Sequence, residues 1–188
     1  EGSNAIAQNA YYHLAESYIN LNKKQEALNA FKNASEMDFN LNIQEDAWLN
    51  YAKLSYDIGN PYQSTPQVLT DFLKLYPKSA FKIEIESLLI DSYISSNNFK
   101  DALELLENKS RPAHKEAYQK VTFFRALELY NNAKYSHAKE LLNRSLSTAI
   151  NPVFSARATY WKAETDYQLS NFKEALEGFL DFKNTAKN

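Results

Sequence analysis

Alanines recur at a fixed spacing along this chain, each inside a nearly copied segment that starts a helix. Asn171-Phe172-Lys173-Glu174-Ala175-Leu176 repeats as Asn98-Phe99-Lys100-Asp101-Ala102-Leu103, with looser copies at Asn22 to Leu28 and Lys134 to Lys139. Each copy follows a helical segment that carries a tyrosine: Tyr18, Tyr93, Tyr130 or Tyr167. The alanines at the shared position are Ala27, Ala102, Ala138 and Ala175, so the last two steps are 36 and 37 residues and the first gap spans two repeats. A divergent copy must therefore lie between Ala27 and Ala102. A period of this length marks a supersecondary unit that buries its apolar face only by stacking on its neighbours.

Stacking needs long uninterrupted helices and enough apolar surface, and the composition supplies both. Three glycines and five prolines in 188 residues leave long stretches free of helix breakers, and 44% of the residues are hydrophobic, 14% aromatic. Intrinsic disorder is disfavoured by the same numbers. A formal charge of −2 with lysines and glutamates interspersed gives no basic stripe for a phosphate backbone, so nucleic acid is not an expected partner. No apolar run reaches membrane-spanning length. Cysteine is absent, which removes disulfides and thiolate metal sites but does not separate cytoplasm from periplasm. The chain opens Glu1-Gly2-Ser3-Asn4-Ala5 with neither an initiator methionine nor a signal peptide, and is expected to belong to a longer protein.

Taken in order, apolar residues at helical spacing run from Ala7 to Ile19 and again from Lys23 to about Met37, a helical hairpin. Asn22 with Gln25, Asn98 with Asp101 and Asn171 with Glu174 are placed as capping boxes at the start of second helices. The next pair starts near Asn42, carries Trp48, Tyr51 and Ala52, and stops at Gly59-Asn60; its return helix begins at Pro66 after a longer loop. Tyr76-Pro77 ends it. Ser79 caps a third pair holding Ile83, Leu88, Leu89, Ile90 and Tyr93, with a second helix from Phe99 to about Asn108. Pro112 opens a fourth pair spanning Ala113 to Asn131 and Tyr135 to about Leu146, and Asn151-Pro152 opens the fifth. All five prolines fall at boundaries. The expected architecture is all-α, a right-handed superhelical solenoid of five antiparallel helix pairs near 5–40, 41–77, 79–110, 112–150 and 151–185, with residues 1–188 forming one stack.

The first pair resembles the tetratricopeptide repeat: Tyr11, Leu14, Ala15, Tyr18, Ala27 and Phe31 fall at that repeat's spacings, with Ala34 one turn later and Asp38 near the closing turn. Small residues pair across later hairpins as Ala126 with Ala138 and Ala163 with Ala175. Departures are Ile90 for a small residue, Pro66 with the long loop, and Asp166 where tyrosine is usual. Tyr160-Trp161-Lys162-Ala163-Glu164 with Tyr167, echoed by Tyr12-His13-Leu14-Ala15-Glu16, is similar to the variant found in bacterial cell-envelope tetratricopeptide proteins, and Phe72 to Ser79 looks like their inter-repeat stretch. The resemblance implies a non-enzymatic adaptor of the kind tied to outer-membrane assembly and the Tol-Pal system, in the periplasm or cell envelope, with cytoplasm as the alternative.

Chemistry-bearing constellations are sparse. His13, His114 and His137 lie in three different repeats without metal-ligand spacing and are expected at the surface. Carboxylate pairs such as Glu45-Asp46 and Glu104 with Glu107 suit a solvated helix exterior better than acid-base catalysis. There is no glycine-rich phosphate loop and no nucleophile elbow. No enzyme activity, metal or cofactor is expected. Tyr11, Tyr18, Phe31, Trp48, Tyr51, Tyr93 and Phe179 match packing positions. The resemblance places a different set on the concave side of the first helices, where a protein or peptide segment would bind: Tyr12, Glu16, Asn50, Lys53, Tyr56, Asp91, Phe123, Tyr130, Arg157, Trp161, Glu164 and Tyr167. Lys139 falls on the outer face.

Two other roles stay open at this point. One is a helical docking domain fused to an enzyme elsewhere in the full chain. The other is a receptor for carboxylate-ended chaperone tails, which Asn50 fits; but Glu16 stands where that family has asparagine, a carboxylate facing a carboxylate being repulsive, and Leu88 stands where it has arginine. Leu176, Phe179, Leu180 and Phe182 are expected to pack on a following helix or on a second copy, since the ends of repeat arrays otherwise need a polar cap.

Overall fold

The computed structural model describes residues 4–107 and 114–185. They form ten helices: α1 (Ala5–Asn20), α2 (Lys24–Ser35), α3 (Leu41–Ile58), α4 (Thr65–Leu75), α5 (Lys82–Ser95), α6 (Phe99–Glu107), α7 (Lys115–Asn131), α8 (Tyr135–Ser147), α9 (Pro152–Gln168) and α10 (Phe172–Thr185). Among the described residues there is no strand. The ends expected at Asn108, Pro112 and Ala113 lie outside the described residues. Where the repeat spacing treats residues 1–188 as one stack, contacts gather the chain into two compact units, Glu1–Ser92 and Tyr93–Asn188, divided inside α5. In the first unit α1 packs on α2, α2 on α3 and α3 on α4; in the second α6 packs on α7, α7 on α8, α8 on α9 and α9 on α10.

The turns inside the pairs share one device. Asn22, Asn97, Ala133 and Ser170 have φ between 55° and 63°, in the left-handed region. At each, the preceding helix closes with two backbone bonds that satisfy carbonyls left over at its C-terminus. Asn22 N–H donates to Ile19 O (2.9 Å) and Lys23 N–H to Tyr18 O (2.8 Å); Ser170 N–H donates to Tyr167 O (3.0 Å) and Asn171 N–H to Asp166 O (2.8 Å). Asn97-Asn98 and Ala133-Lys134 repeat the pattern. The repeat alanine then closes the first turn of the next helix: Ala27, Ala102, Ala138 and Ala175 each donate to the residue four places before them.

This corrects the role expected of Asn22. It ends α1 rather than capping α2, whose N-cap is Lys23 with no side-chain bond. Asn171 likewise bonds back to Asp166 instead of pairing with Glu174. Asn98 does cap, accepting from Asp101 N–H at 3.4 Å while its amide donates to the Asp101 carboxylate at 2.8 Å. The first helix of the divergent second pair, α3, ends on Gly59 (φ 79°), and the long loop after it is held by Asn60, which donates to the Tyr51 hydroxyl and to Ser55 Oγ, both at 2.8 Å.

Small side chains fill the space between paired helices. Ala15, Ala27, Ala126 and Ala138 are completely buried, and Ala163 and Ala175 nearly so. In the last pair the helices also approach tightly one turn further on, where a Cβ added to Gly178 would lie 2.9 Å from Ala163 Cβ. Of the aromatics assigned to packing, Phe31 and Tyr51 are buried, while Tyr18, Trp48, Tyr93 and Phe179 are half-buried. Tyr11 is exposed.

Two buried glutamines clamp the links between pairs. Gln8 donates to Met37 O (2.6 Å) and accepts from Asn40 N–H (2.7 Å); Gln119 donates to Asn151 O (3.2 Å) and Ser155 Oγ (3.0 Å) and accepts from Asn151 N–H (2.7 Å). In both cases the bonded asparagine is 32 residues downstream and caps the next first helix. Gln119→Leu is expected to lower stability by about 1–3 kcal/mol, the cost of leaving those link groups unsatisfied in a buried place. Ala133→Gly is expected to raise it by about 1 kcal/mol, because only glycine sits in the left-handed region without a Cβ penalty. Urea titrations of both variants measure the two signs.

Candidate protein-interaction surface

The surface is built from first helices, whose residues at three- and four-residue spacing share a face. In the first unit, most of the side chains expected to await a partner are engaged. The Tyr12 hydroxyl donates to the Asp46 carboxylate of α3, and the Asn50 amide donates to the same carboxylate at 3.1 Å. Burial first, and then the Asp46 carboxylate accepting its proton, hold the Tyr12 phenol above its ordinary range. Lys53 pairs with Glu84 of α5 at 2.8 Å and lies 5.1 Å over the Phe81 ring. Glu16 contacts His13 at 2.8 Å. Tyr56 is 39% exposed, and Asp91 is exposed on α5.

In the second unit Phe123 is 2% exposed, packed against Phe124 and Phe154. It is core, contrary to its expected place on the binding face. Phe123 falls four residues, about one turn, beyond the buried Gln119 and so lies on the same inward-turned side, and Val121 and Thr122 beside it are also buried. Tyr130, Trp161 and Glu164 do come together, with Tyr160 between them. Tyr130 of α7 meets Trp161 of α9 edge-to-face at 5.1 Å, and Trp161 meets Tyr160 at 5.6 Å. Glu164 accepts from the Tyr160 hydroxyl at 3.0 Å, which is the first cause of that phenol's raised pKa. Burial and then the Glu164 charge raise Tyr130. Arg157 is exposed at the start of the row. Tyr167, 55% exposed, packs edge-on at 5.5 Å against Phe172, which is 60% exposed.

Three placements differ from the sequence reading. His114 is half-buried at the start of α7 instead of lying at the surface, while His13 and His137 are exposed. Phe179 and Phe182 pack on Tyr160 at 5.8 and 5.3 Å, whereas Leu176 and Leu180 are 60% and 50% exposed. Lys139 is no idle outer-face residue: it reaches Asp166, whose side chain is fully buried, at 2.5 Å. Among the described residues no group of three or more His, Cys, Asp or Glu could hold a metal, and no helix is long and apolar enough to cross a membrane.

Asp166, seen in the sequence only as a departure from tyrosine, is the group that was missed. Lys162 pairs with it at 3.2 Å and the Asn171 amide donates to it at 3.2 Å, so it ties α8, α9 and the turn into α10 together. Burial alone would raise its pKa; Lys139, Asn171 and Lys162 outweigh that and hold the carboxyl below its ordinary value. A depressed carboxyl contributes stability that is present above its unfolded-state pKa and lost as pH falls through the folded one. Asp166→Asn is therefore expected to cost about 1–3 kcal/mol at pH 7 and progressively less on acidification through the carboxylate range. Denaturant midpoints of wild type and variant should converge at low pH.

Comparison with solved structures fixes the class of fold. The chain is similar to MamA from AMB-1, with 17% identity over 97% of this chain and 93% of that one and a TM-score of 0.56. It is likewise similar to another MamA crystal structure (18% identity, 96% and 92% covered, TM-score 0.53) and to MamA of Desulfovibrio magneticus RS-1 (17%, 96% and 95%, 0.50). No protein-family model matches the chain, and no curated protein does. At this identity the likeness speaks for the fold alone, an all-α solenoid of antiparallel, tetratricopeptide-like helix pairs.

Proposed function

We propose that this chain is a non-catalytic protein-interaction module that binds a segment of a partner protein on the aromatic face of α7 and α9. The observation that carries the reading is the pair Tyr167 and Phe172, held ring against ring yet each more than half exposed. Large rigid aromatics offer contact area at little entropic cost and are among the residues most often found as binding hot spots. Glu164, one turn before Tyr167, and Arg157, nearer the start of α9, would set the orientation of the guest more than its affinity. In the first unit Tyr56 is an exposed ring among the candidate residues, while the engagement of Lys53 and Asn50 counts against a clamp for carboxylate tails. The likeness of Tyr160 to Glu164 and of Phe72 to Ser79 to envelope repeats supports an adaptor role in the periplasm or cell envelope.

The exposed Leu176 and Leu180 also support self-association through α10. At the matching place in α2, Leu28 is completely buried where α2 packs on α3. Micromolar partner binding, about −8 kcal/mol, requires only a few such anchors after association costs. Peptides selected on the protein from an envelope-protein fragment library should bind wild type and a Lys173→Ala control alike, and should bind Tyr167→Ala and Arg157→Glu at least tenfold more weakly in calorimetry. Equal affinity for all four, with melting unchanged, would place recognition elsewhere. Fractionation of cells expressing the full-length gene product tests the compartment.

A further inference from the structure

The charge of the first unit is divided between its two kinds of helix. Its first helices α1, α3 and α5 carry seven carboxylates against two lysines, whereas α2 and α4 carry two carboxylates against three lysines. Register gives the division a place. The small-residue position of the first helices is filled by Ala15, Ala52, Ile90, Ala126 and Ala163; six residues before it stand Asn9, Asp46 and Glu84 in the first unit, but Lys120 and Arg157 in the second. Turn bonds fix this register for α1, α5, α7 and α9: Lys23, Asn98, Lys134 and Asn171 N–H donate to Tyr18, Tyr93, Leu129 and Asp166 O, each three residues beyond the small position. The same place thus changes sign from one unit to the other, which an acidic composition alone does not produce.

Contacts show that the acidic side chains of the first unit share one face. The Tyr12 hydroxyl of α1 and the Asn50 amide donate to Asp46 of α3, and Lys53 of α3 pairs with Glu84 of α5 at 2.8 Å. Glu16, one turn from Tyr12, adds its charge to that of Asp46 in raising the Tyr12 phenol. Both bonds to the Asp46 carboxylate end on Oδ2, and Oδ1 accepts from no described residue. Among the described residues no lysine or arginine pairs with Asp46 or with the exposed Glu16, and Lys53 is taken by Glu84. On the same face, four residues after the small position, Ile19 and Tyr56 are 41% and 39% exposed.

We infer that this face of α1 and α3 docks a basic segment of a partner protein, whose lysine or arginine side chains pair with Asp46 and Glu16 and whose apolar side chains cover Ile19 and Tyr56. Charge complementarity selects the occupant. A nucleic acid or an anionic membrane would bring phosphates against carboxylates of like sign. A bare metal ion finds no group of three or more His, Cys, Asp or Glu to hold it among the described residues. An ammonium or guanidinium group makes charge-assisted hydrogen bonds to the carboxylate oxygens that Tyr12 and Asn50 leave open.

The test titrates two blocked peptides, one alternating lysine with leucine and one alternating glutamate with leucine, with calcium ion as a third probe. Calorimetry reads affinity and amide shifts read position. The lysine peptide should shift amides of α1 and α3 and bind more weakly as salt rises, while the glutamate peptide leaves those amides unmoved. Glu16→Gln, which alters only an exposed side chain, should weaken the lysine peptide about threefold, and Glu16→Gln with Asp46→Asn about tenfold. Glu26→Gln removes the same charge from α2 and should bind as wild type does. Tyr167→Ala should do so too, which keeps failure here distinct from failure of the α7 and α9 surface. Equal affinity of wild type and the double variant, an equal loss in Glu26→Gln or Tyr167→Ala, no shift in α1 and α3, equal shifts by both peptides, or the same shifts from calcium ion alone would each overturn the proposal.

Discussion

A left-handed residue at the turn is the constraint on which the rest of each hairpin depends. With φ near +60° at Asn22, Asn97, Ala133 or Ser170, the chain reverses in three residues, and the two carbonyls it would strand are taken up by the next two N–H groups. The reversal fixes where the second helix starts, and the repeat alanine's own N–H closes that first turn. The alanine is thereby delivered to the place where two helices must approach, and a small side chain there lets them do so. Turn and contact are one device: a larger residue at Ala138 would strain the approach, and a turn one residue longer would rotate Ala138 away from it.

This explains which parts of the fold were legible in the sequence. Helix pairs could be read because period, prolines and alanines all reported the same spacing. Asn22 was misread because asparagine suits a left-handed C-terminal residue as well as it suits an N-cap, and the two positions are adjacent in so short a turn. Ala133 and Ser170, which carry neither glycine's nor asparagine's freedom, show that geometry and not residue type is what recurs. The glutamine clamps left a fainter trace: Gln8 with Asn40 and Gln119 with Asn151 share one separation, visible once the structure shows what the bonds are.

The candidate surface was less legible than the fold, for a reason that Phe123 and Asp166 illustrate. Phe123 stands four residues beyond Gln119 as Tyr12 stands four beyond Gln8, yet Phe123 is buried against Phe154 of α9 while the Tyr12 hydroxyl reaches a carboxylate of α3, so what decides burial at this place is the facing helix and not the spacing along its own. Asp166 has the opposite history. A carboxylate at a position usually aromatic looks like a surface tolerance, yet it is fully buried and paired with lysines from two helices. Burial of a charge is costly unless partners surround it, and those partners come from α8, α9 and the turn, three places that no local pattern connects.

The packing of the second unit and the binding face proposed for it draw on the same aromatic residues, and geometry divides them. Trp161 touches Tyr130 on one side and Tyr160 on the other, and Tyr160 in turn touches Phe179 and Phe182, so a continuous run of rings crosses from α7 through α9 to α10. The middle of that run is half-buried and holds helices together. Its neighbours Tyr167 and Phe172 sit at the α9–α10 turn that Asp166 fixes from beneath, through the Asn171 amide and the backbone bond from Asn171 N–H to Asp166 O. A ring pair on so constrained a turn would lose little freedom if the proposed partner covered it, and the ion pairs of the buried Asp166 hold that turn in place.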